Sequence, residues 1–312
     1  MFDATRLPSP LLDDHLVDSP DAARLWLPRL SLSNCVRGVI VRNTTGLALD
    51  KHPLINHFPA SPLCTLTWLF QGHAQEVKAV EGRWALDQSV ALPGPLVFSG
   101  PYTRPLAGHY PGPVHLMLLM MLPDAFEAMT GIDPGAYINR FVAADDVLDP
   151  AWRGMCQAVF DAPDDEARVA LIDAQMAAWW QASRAHKSAS SRLLDDWYTG
   201  LALRAANTGL GRSARQIERR IKQWTGQPLR ELRGIGRSER AFFAAVTSRE
   251  QGEVNWADVA HEVGYADQSH LCRQTRRLTG FAPEELTRRI AEDEGFWAYR
   301  LWGFSEARPP RT

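Results

Sequence analysis

The stretch "DQSHLCRQTRR", residues 267–277, brings Ser269, Cys272, Arg273 and Arg276 together at spacings of three and four, with Gln268 on the flank, Arg277 alongside and no acid after Asp267. On a helix those spacings gather side chains on one face. A solvated surface helix mixes charge signs, whereas a face of glutamine, serine and arginine suits a polyanion. Arginine pairs with guanine O6 and N7, glutamine with adenine N6 and N7, and further cations meet phosphates. The chemistry expected is therefore recognition of double-stranded DNA through its major groove.

The residues around this stretch must hold it in place. Asn255 is expected to cap one helix, with Asp258 in its first turn and Val259 and Val263 facing inward. Ala260, followed four residues later by Gly264, allows two helices to cross closely around a sharp turn. Asp267 then caps the second helix, whose inward stripe is Leu271, Thr275 and Leu278. The same design occurs 54 residues earlier: "RQIERRIKQWTG" and "SHLCRQTRRLTG" both end in Thr-Gly after an arginine-rich helix. In the earlier copy Ile217, Ile221 and Trp224 face inward, Arg215, Glu218, Arg219 and Lys222 outward, and Gln216 lies at the edge. Its first helix is expected at "LALRAA" with "NTG" as the turn. Glu218 either reads cytosine or pairs with Lys222 one turn on.

Charge follows the same division. Lys and Arg outnumber Asp and Glu by 19 to 12 between Arg184 and Ile290, while the rest of the chain holds 15 against 24, so a basic module is joined to an acidic remainder. Cys35, Cys64, Cys156 and Cys272 are scattered without CxxC or metal-ligand spacing, which suits a reduced, cytoplasmic protein. Cys272 has no resolving partner in sequence and is expected to make a small neutral contact. The first residues lack a basic start and an apolar segment, and the longest apolar run, residues 114–122, is too short to span a membrane. That run is expected to be a buried strand.

From about Leu25 to Leu148, short apolar runs such as "RGVIVR", "LCTLTWLF" and "GPLVFSG" alternate with Pro, Gly and Asn clusters, the rhythm of an antiparallel β domain. Two helical segments follow, "PAWRGMCQAVFDA" and "DEARVALIDAQMAAWWQASRA", and "HKSASSR" reads as a linker. The β domain carries His52, His57, His73, His109 and His115 but no His-x-His pair, so no metal is expected. Trp68, Trp84 and Tyr102 are candidates for an effector pocket, weighed against a core role. The segment "AEDEGFWAYRLWGF" after Ile290 reads as a further aromatic helix.

The region from about Leu193 to Ile290 resembles the DNA-binding domain of AraC/XylS-type transcriptional regulators, through "WADVAHEVGYADQSHLCRQTRRLTGFAP". It departs from that pattern at Leu271 and Thr275, where the family usually has Phe, and at Pro228, which follows Gly226 by two residues rather than three. The resemblance implies two helix-turn-helix units joined by a long helix. It places base contacts at Arg215, Gln216, Glu218, Arg219, Gln268, Ser269, Cys272 and Arg273, and leaves Lys222, Arg276 and Arg277 for the backbone. More loosely, "GPLVFSGPYTRP" and "MMLPDAFEAMTGIDPGAYINRFV" resemble the sensor domains of that family, which implies a cupin-like barrel.

The fold expected is thus α+β: a β-rich sensor or dimerisation domain over 1–150, a helical coupling segment over 151–190, a double helix-turn-helix domain over 191–290 and the aromatic tail over 291–312. The partners expected are promoter DNA, RNA polymerase, a small-molecule effector and a second copy of the chain, with no cofactor, no membrane and no enzymatic step. The alternatives are a DNA repair protein that accepts alkyl groups on a cysteine, or a regulator whose N-terminal domain binds a protein partner.

Overall fold

The computed structural model describes residues 16–19, 22–47, 55–80, 82–183, 194–207, 213–252 and 254–306. The expected linker "HKSASSR" and the expected turn "NTG" lie outside the described residues, apart from Asn207 at the end of a helix.

The N-terminal half forms two antiparallel sheets. The larger contains β1 (Leu16–Ser19), β2 (Ala23–Trp26), β3 (Val36–Asn43), β5 (Cys64–Gln71), β8 (Leu96–Ser99), β10 (His115–Met121) and β11 (Phe141–Ala143), in the order β1-β2-β3-β10-β5-β8-β11. The smaller contains β4 (Ile55–Phe58), β6 (Gln75–Val80), β7 (Arg83–Ala91) and β9 (Leu106–His109), in the order β4-β9-β6-β7. β10 is the long apolar run of the sequence, and it lies at the centre of its sheet, paired with β3 on one side and β5 on the other. A strand with both edges paired and most residues buried reads as continuous apolar sequence rather than strict alternation.

β3 is also buried along nearly its whole length, although it contains Arg37 and Arg42. Five residues apart, these two would face opposite sides of an unbroken strand. A bulge intervenes, since Met120 pairs with Gly38 and Met121 with Val36, and the extra residue is Arg37. Both guanidinium groups consequently reach the C-terminal half: Arg37 pairs with Glu239 at 2.8 Å and Arg42 with Glu294 at 2.7 Å.

The helices are α1 (Pro123–Thr130), α2 (Pro150–Asp161), α3 (Asp165–Ser183), α4 (Leu194–Asn207), α5 (Ala214–Thr225), α6 (Leu229–Gln251), α7 (Trp256–Glu262), α8 (Gln268–Thr279), α9 (Pro283–Glu292) and α10 (Trp297–Glu306). α2 begins where Asp149 accepts the Trp152 N–H at 2.9 Å and Pro150 occupies the first turn. α2 and α3, in the expected coupling segment, pack on the N-terminal domain. Trp152 stacks on Trp179 with centroids 4.3 Å apart, and the Trp68 indole donates to the Cys156 carbonyl at 3.1 Å. Asp165 at the start of α3 contacts His115 on β10 at 2.9 Å and pairs with Arg24 on β2 at 2.8 Å. Burial pushes the Asp165 carboxyl up, but its bonds to His115 and Arg168 and the nearby Arg24 charge outweigh that and hold it at about 2.

Contacts between the halves come from elsewhere. α1 and the short turn Pro134–Tyr137 meet α5, and α10 lies against β1, β2 and β4. One apolar core therefore runs from Leu25 and Phe98 in the sheets to Tyr198, Leu201, Ile221 and Leu232 in α4 to α6. The second helix pair keeps a small core of its own, with Val259, Ala260, Val263 and Leu271 around Ala241.

Candidate nucleic-acid interface

In the second unit Asn255 caps α7 by accepting the Ala257 N–H at 3.0 Å, and Asp267 caps α8 by accepting the His270 N–H at 2.6 Å. Between them Gly264 adopts φ +78 with nothing within 4 Å of where a Cβ would stand. The glycine thus serves a left-handed turn and not the close helix crossing expected from its spacing to Ala260. Leu271, Thr275 and Leu278 are buried, as their stripe requires. On the opposite side Gln268, Ser269, Arg273, Arg276 and Arg277 are exposed and Cys272 is half-buried. Arg277 also pairs with Glu231 of α6 at 2.6 Å, which ties the recognition face to the connecting helix.

The first unit has the same plan. Ser213 caps α5 by accepting the Gln216 N–H at 3.4 Å, a long bond, while Ile221 is buried with Ile217 and Trp224 packed on the core. Arg215, Arg219 and Lys222 are exposed and Gln216 is half-buried. Glu218 takes neither expected direction: its carboxylate accepts the Leu229 N–H at 3.1 Å and so caps α6, which lacks a side-chain cap of its own on Pro228.

The duplicated Thr-Gly pairs repeat down to single bonds. Thr225 Oγ1 donates to the Ile221 carbonyl at 2.7 Å and accepts the Gln227 N–H at 3.2 Å, while Thr279 Oγ1 donates to the Thr275 carbonyl at 2.8 Å and accepts the Phe281 N–H at 3.1 Å. Gly226 and Gly280 follow with φ of +72 and +88, ending each helix in a left-handed cap. Both corners dock on the N-terminal domain. A Cβ on Gly226 would stand 2.8 Å from the Gly135 Cα, and the Ala60 N–H donates to the Leu278 carbonyl at 2.7 Å. The basic faces, with Arg215, Arg219, Lys222, Arg273 and Arg276, remain exposed. α6 spans the two units, and its Gly236 gives room to Tyr198 of α4, whose ring a Cβ would meet at 2.4 Å.

The aromatic tail closes the assembly. Trp297 donates to Asn56 Oδ1 of β4 at 2.9 Å, Arg37 stacks over Trp302 at 4.6 Å, and Arg42 lies over Trp297 at 5.1 Å. His57 of β4 stacks on Phe296 with centroids 4.7 Å apart and meets Phe281 edge-on at 5.2 Å. Burial lowers the His57 pKa from 6.5 to about 4, with Asp293 opposing and Arg289 adding to the shift. The folded chain thus favours neutral His57, while the unfolded chain takes up the proton near 6.5. This contribution is present above that value and is lost as pH falls toward about 4, amounting to about 2 kcal/mol between about pH 7 and about pH 5. Urea denaturation at both pH values checks this, with His57→Phe expected to show a flatter dependence; equal slopes would refute the assignment.

The three expected pocket aromatics lie in different surroundings. Trp68 is fully buried in the core beside α2, and Trp84 lies on the exposed strand β7 near His57; neither borders the cavity between the sheets and the C-terminal helices. Tyr102 does. It stands on the wall of a cavity of about 310 Å³ bordered by the sheets on one side and by α6, α8, α9 and α10 on the other. Sequence reasoning missed this cavity and the tail that helps to roof it. The available signal was two arginines in "RGVIVR" with no acid nearby in sequence. Among the described residues no group of three or more His, Cys, Asp or Glu side chains gathers as a metal site, and no helix is long and apolar enough to cross a membrane.

A family described as "Helix-turn-helix domain" matches residues 208–289. No curated protein matches the chain. Among solved structures, an apo variant of ToxT from Vibrio cholerae strain SCE256 is similar with a TM-score of 0.37 and 10% identity, over 79% of this chain and 96% of that one. Wild-type ToxT of the same strain, bound to an unsaturated fatty acid, gives a TM-score of 0.31 and 11% identity over 76% and 95%. The AraC-like transcriptional activator CuxR gives 0.30 and 13% over 96% and 90%. The two capped helix pairs joined by α6, together with the match over residues 208–289, identify the C-terminal region as a helix-turn-helix domain.

Proposed function

We propose that the protein is a sequence-specific transcription regulator, not an enzyme, which reads promoter DNA with α5 and α8 in successive stretches of the major groove. The repeated geometry of the two units carries this reading: each helix has a capped start, an inward apolar stripe, the same Thr-Gly finish and an exposed basic face. Arg215, Gln216, Arg219, Gln268, Ser269, Cys272 and Arg273 meet base edges, while Lys222, Arg276 and Arg277 meet phosphate. Glu218 acts by setting the corner between α5 and α6. The N-terminal domain, cupin-like in this reading, receives an effector or joins two copies, and the docked ends of α5 and α8 pass its state to the DNA and RNA polymerase. An effector that prefers one docking arrangement shifts the population that can reach both half-sites.

A cysteine that accepts alkyl groups would need a reachable thiolate. Burial pushes the thiols of Cys35 and Cys156 up to about 12 and that of Cys64 well above its usual range, which argues against these three as alkyl acceptors.

Arg273→Ala is expected to cost about 1–3 kcal/mol of specific binding and to relax discrimination at one base, whereas Arg276→Ala weakens all sequences alike and lowers the salt slope by about one. Anisotropy titrations on selected genomic fragments over a salt series check both. Affinity that does not change with salt would sink the reading.

A further inference from the structure

The cavity between the sheets and the C-terminal helices is bounded by apolar side chains, including Phe58 and Leu106 from the smaller sheet, Leu118 from the larger, and Phe242, Leu286 and Trp302 from the helices. A volume of about 310 Å³ lies at the lower end of the range of small-molecule sites. Three charged residues stand on its wall, and each already has a partner. Arg37 and Glu239 form an ion pair at 2.8 Å, and Glu76 pairs with Lys78 at 2.5 Å. An ionised guest would leave water without finding an uncommitted opposite charge. The wall also carries three phenols, Tyr102, Tyr110 and Tyr299, of which two, Tyr102 and Tyr299, come one from each half of the chain and have hydroxyls without a hydrogen-bond partner among the described residues. Both of these hydroxyls are buried, and burial raises both phenols far above their ordinary pKa, so they remain neutral donors.

From these walls we infer that the cavity is a binding site for an uncharged, predominantly apolar small molecule carrying a carbonyl or ether acceptor. The inference rests on the proposed regulatory role of the N-terminal domain and names the class of its effector. Because the wall is shared by both halves, an occupant touches the sheets and the helices behind the recognition faces at once. Its affinity and that for DNA are then linked, and each changes the other by the same factor.

The test uses full-length protein with two dyes: Nile red, which is uncharged and carries a carbonyl, and the anionic 1-anilinonaphthalene-8-sulfonate. Nile red is expected to bind saturably at one equivalent, with blue-shifted emission, and at least tenfold more tightly than the anion. Ala245→Phe, which narrows the cavity from α6, should weaken Nile red at least tenfold. Tyr102→Phe, the milder variant should the first fail to fold, should weaken it severalfold with an unchanged melting temperature. Tighter binding of the anion, non-saturable uptake, or full affinity in both folded variants overturns the inference. DNA titrations of the same samples separate the two readings: salt-sensitive DNA binding without dye binding removes only the effector class, and dye binding without salt-sensitive DNA binding removes only the regulator.

Discussion

Asp124→Ala should lower stability by about 3–5 kcal/mol, because it removes a buried carboxylate from partners that remain behind. Asp124 stands in the first turn of α1 and is buried. Its Oδ1 accepts the Trp197 indole N–H at 2.8 Å, and its Oδ2 pairs with Arg204, whose side chain is only 18% exposed. Both partners belong to α4, so one carboxylate fastens the N-terminal domain to the helix behind α5. Alanine takes the carboxylate away from Arg204, whose guanidinium also lies over the face of Trp224 at 5.3 Å, and leaves the indole N–H without its acceptor. Asp124→Asn keeps an acceptor for Trp197 but loses the charge, and should fall about halfway. Urea titrations followed by tryptophan fluorescence measure both. A loss below about 1 kcal/mol in the alanine variant would show that solvent reaches Arg204 readily. Since α4 backs α5, DNA contacts made through Arg215 and Arg219 should suffer more than those through Arg273.

The contrast between the two halves explains what was legible in the sequence. The unit built on α7 and α8 follows local rules: Asn255 and Asp267 cap within two or three residues, Gly264 supplies the left-handed turn, and Leu271, Thr275 and Leu278 recur with the helical period. All of these lie within one stretch of chain. The order of strands in the larger sheet cannot be read that way, since β3 pairs with β2 and then with β10, far along the chain. The destinations of Arg37 and Arg42 are likewise non-local, as is that of the tail, which returns to β4 across the whole helical region of the chain. Trp68 and Tyr102 looked alike as strand aromatics, but one found the Cys156 carbonyl under α2 and the other the cavity wall. Glu218 had a plausible partner one turn away in Lys222, and the bare N-terminus of α6 took it instead. An unsatisfied backbone donor has no sequence signature until the chain turns beside it.

The tail supplies the second large effect. The Arg42 side chain is 1% exposed, its Nε and Nη1 have no hydrogen-bond partner among the described residues, and Glu294 meets its Nη2 at 2.7 Å. Glu294 itself is 43% exposed, so water already screens the carboxylate side and the pair sits near the lower end of the cost of breaking a buried bridge. Glu294→Ala should therefore cost about 3 kcal/mol, with the guanidinium left on the Trp297 face alone at 5.1 Å. Glu294→Gln, which retains an acceptor, should cost less. Arg42→Met removes the charge while keeping most of the volume, and in the Glu294→Ala background it should restore much of the loss, because the penalty lies in the stranded charge and not in the missing contact. Failure of that rescue would place the cost in the packing of α10 instead. The same cycle reports on coupling between the halves. If α10 clasps the helices to β2 and β4, unfolding of the Glu294→Ala variant should separate into two transitions where the parent shows one, and the double variant should merge them again.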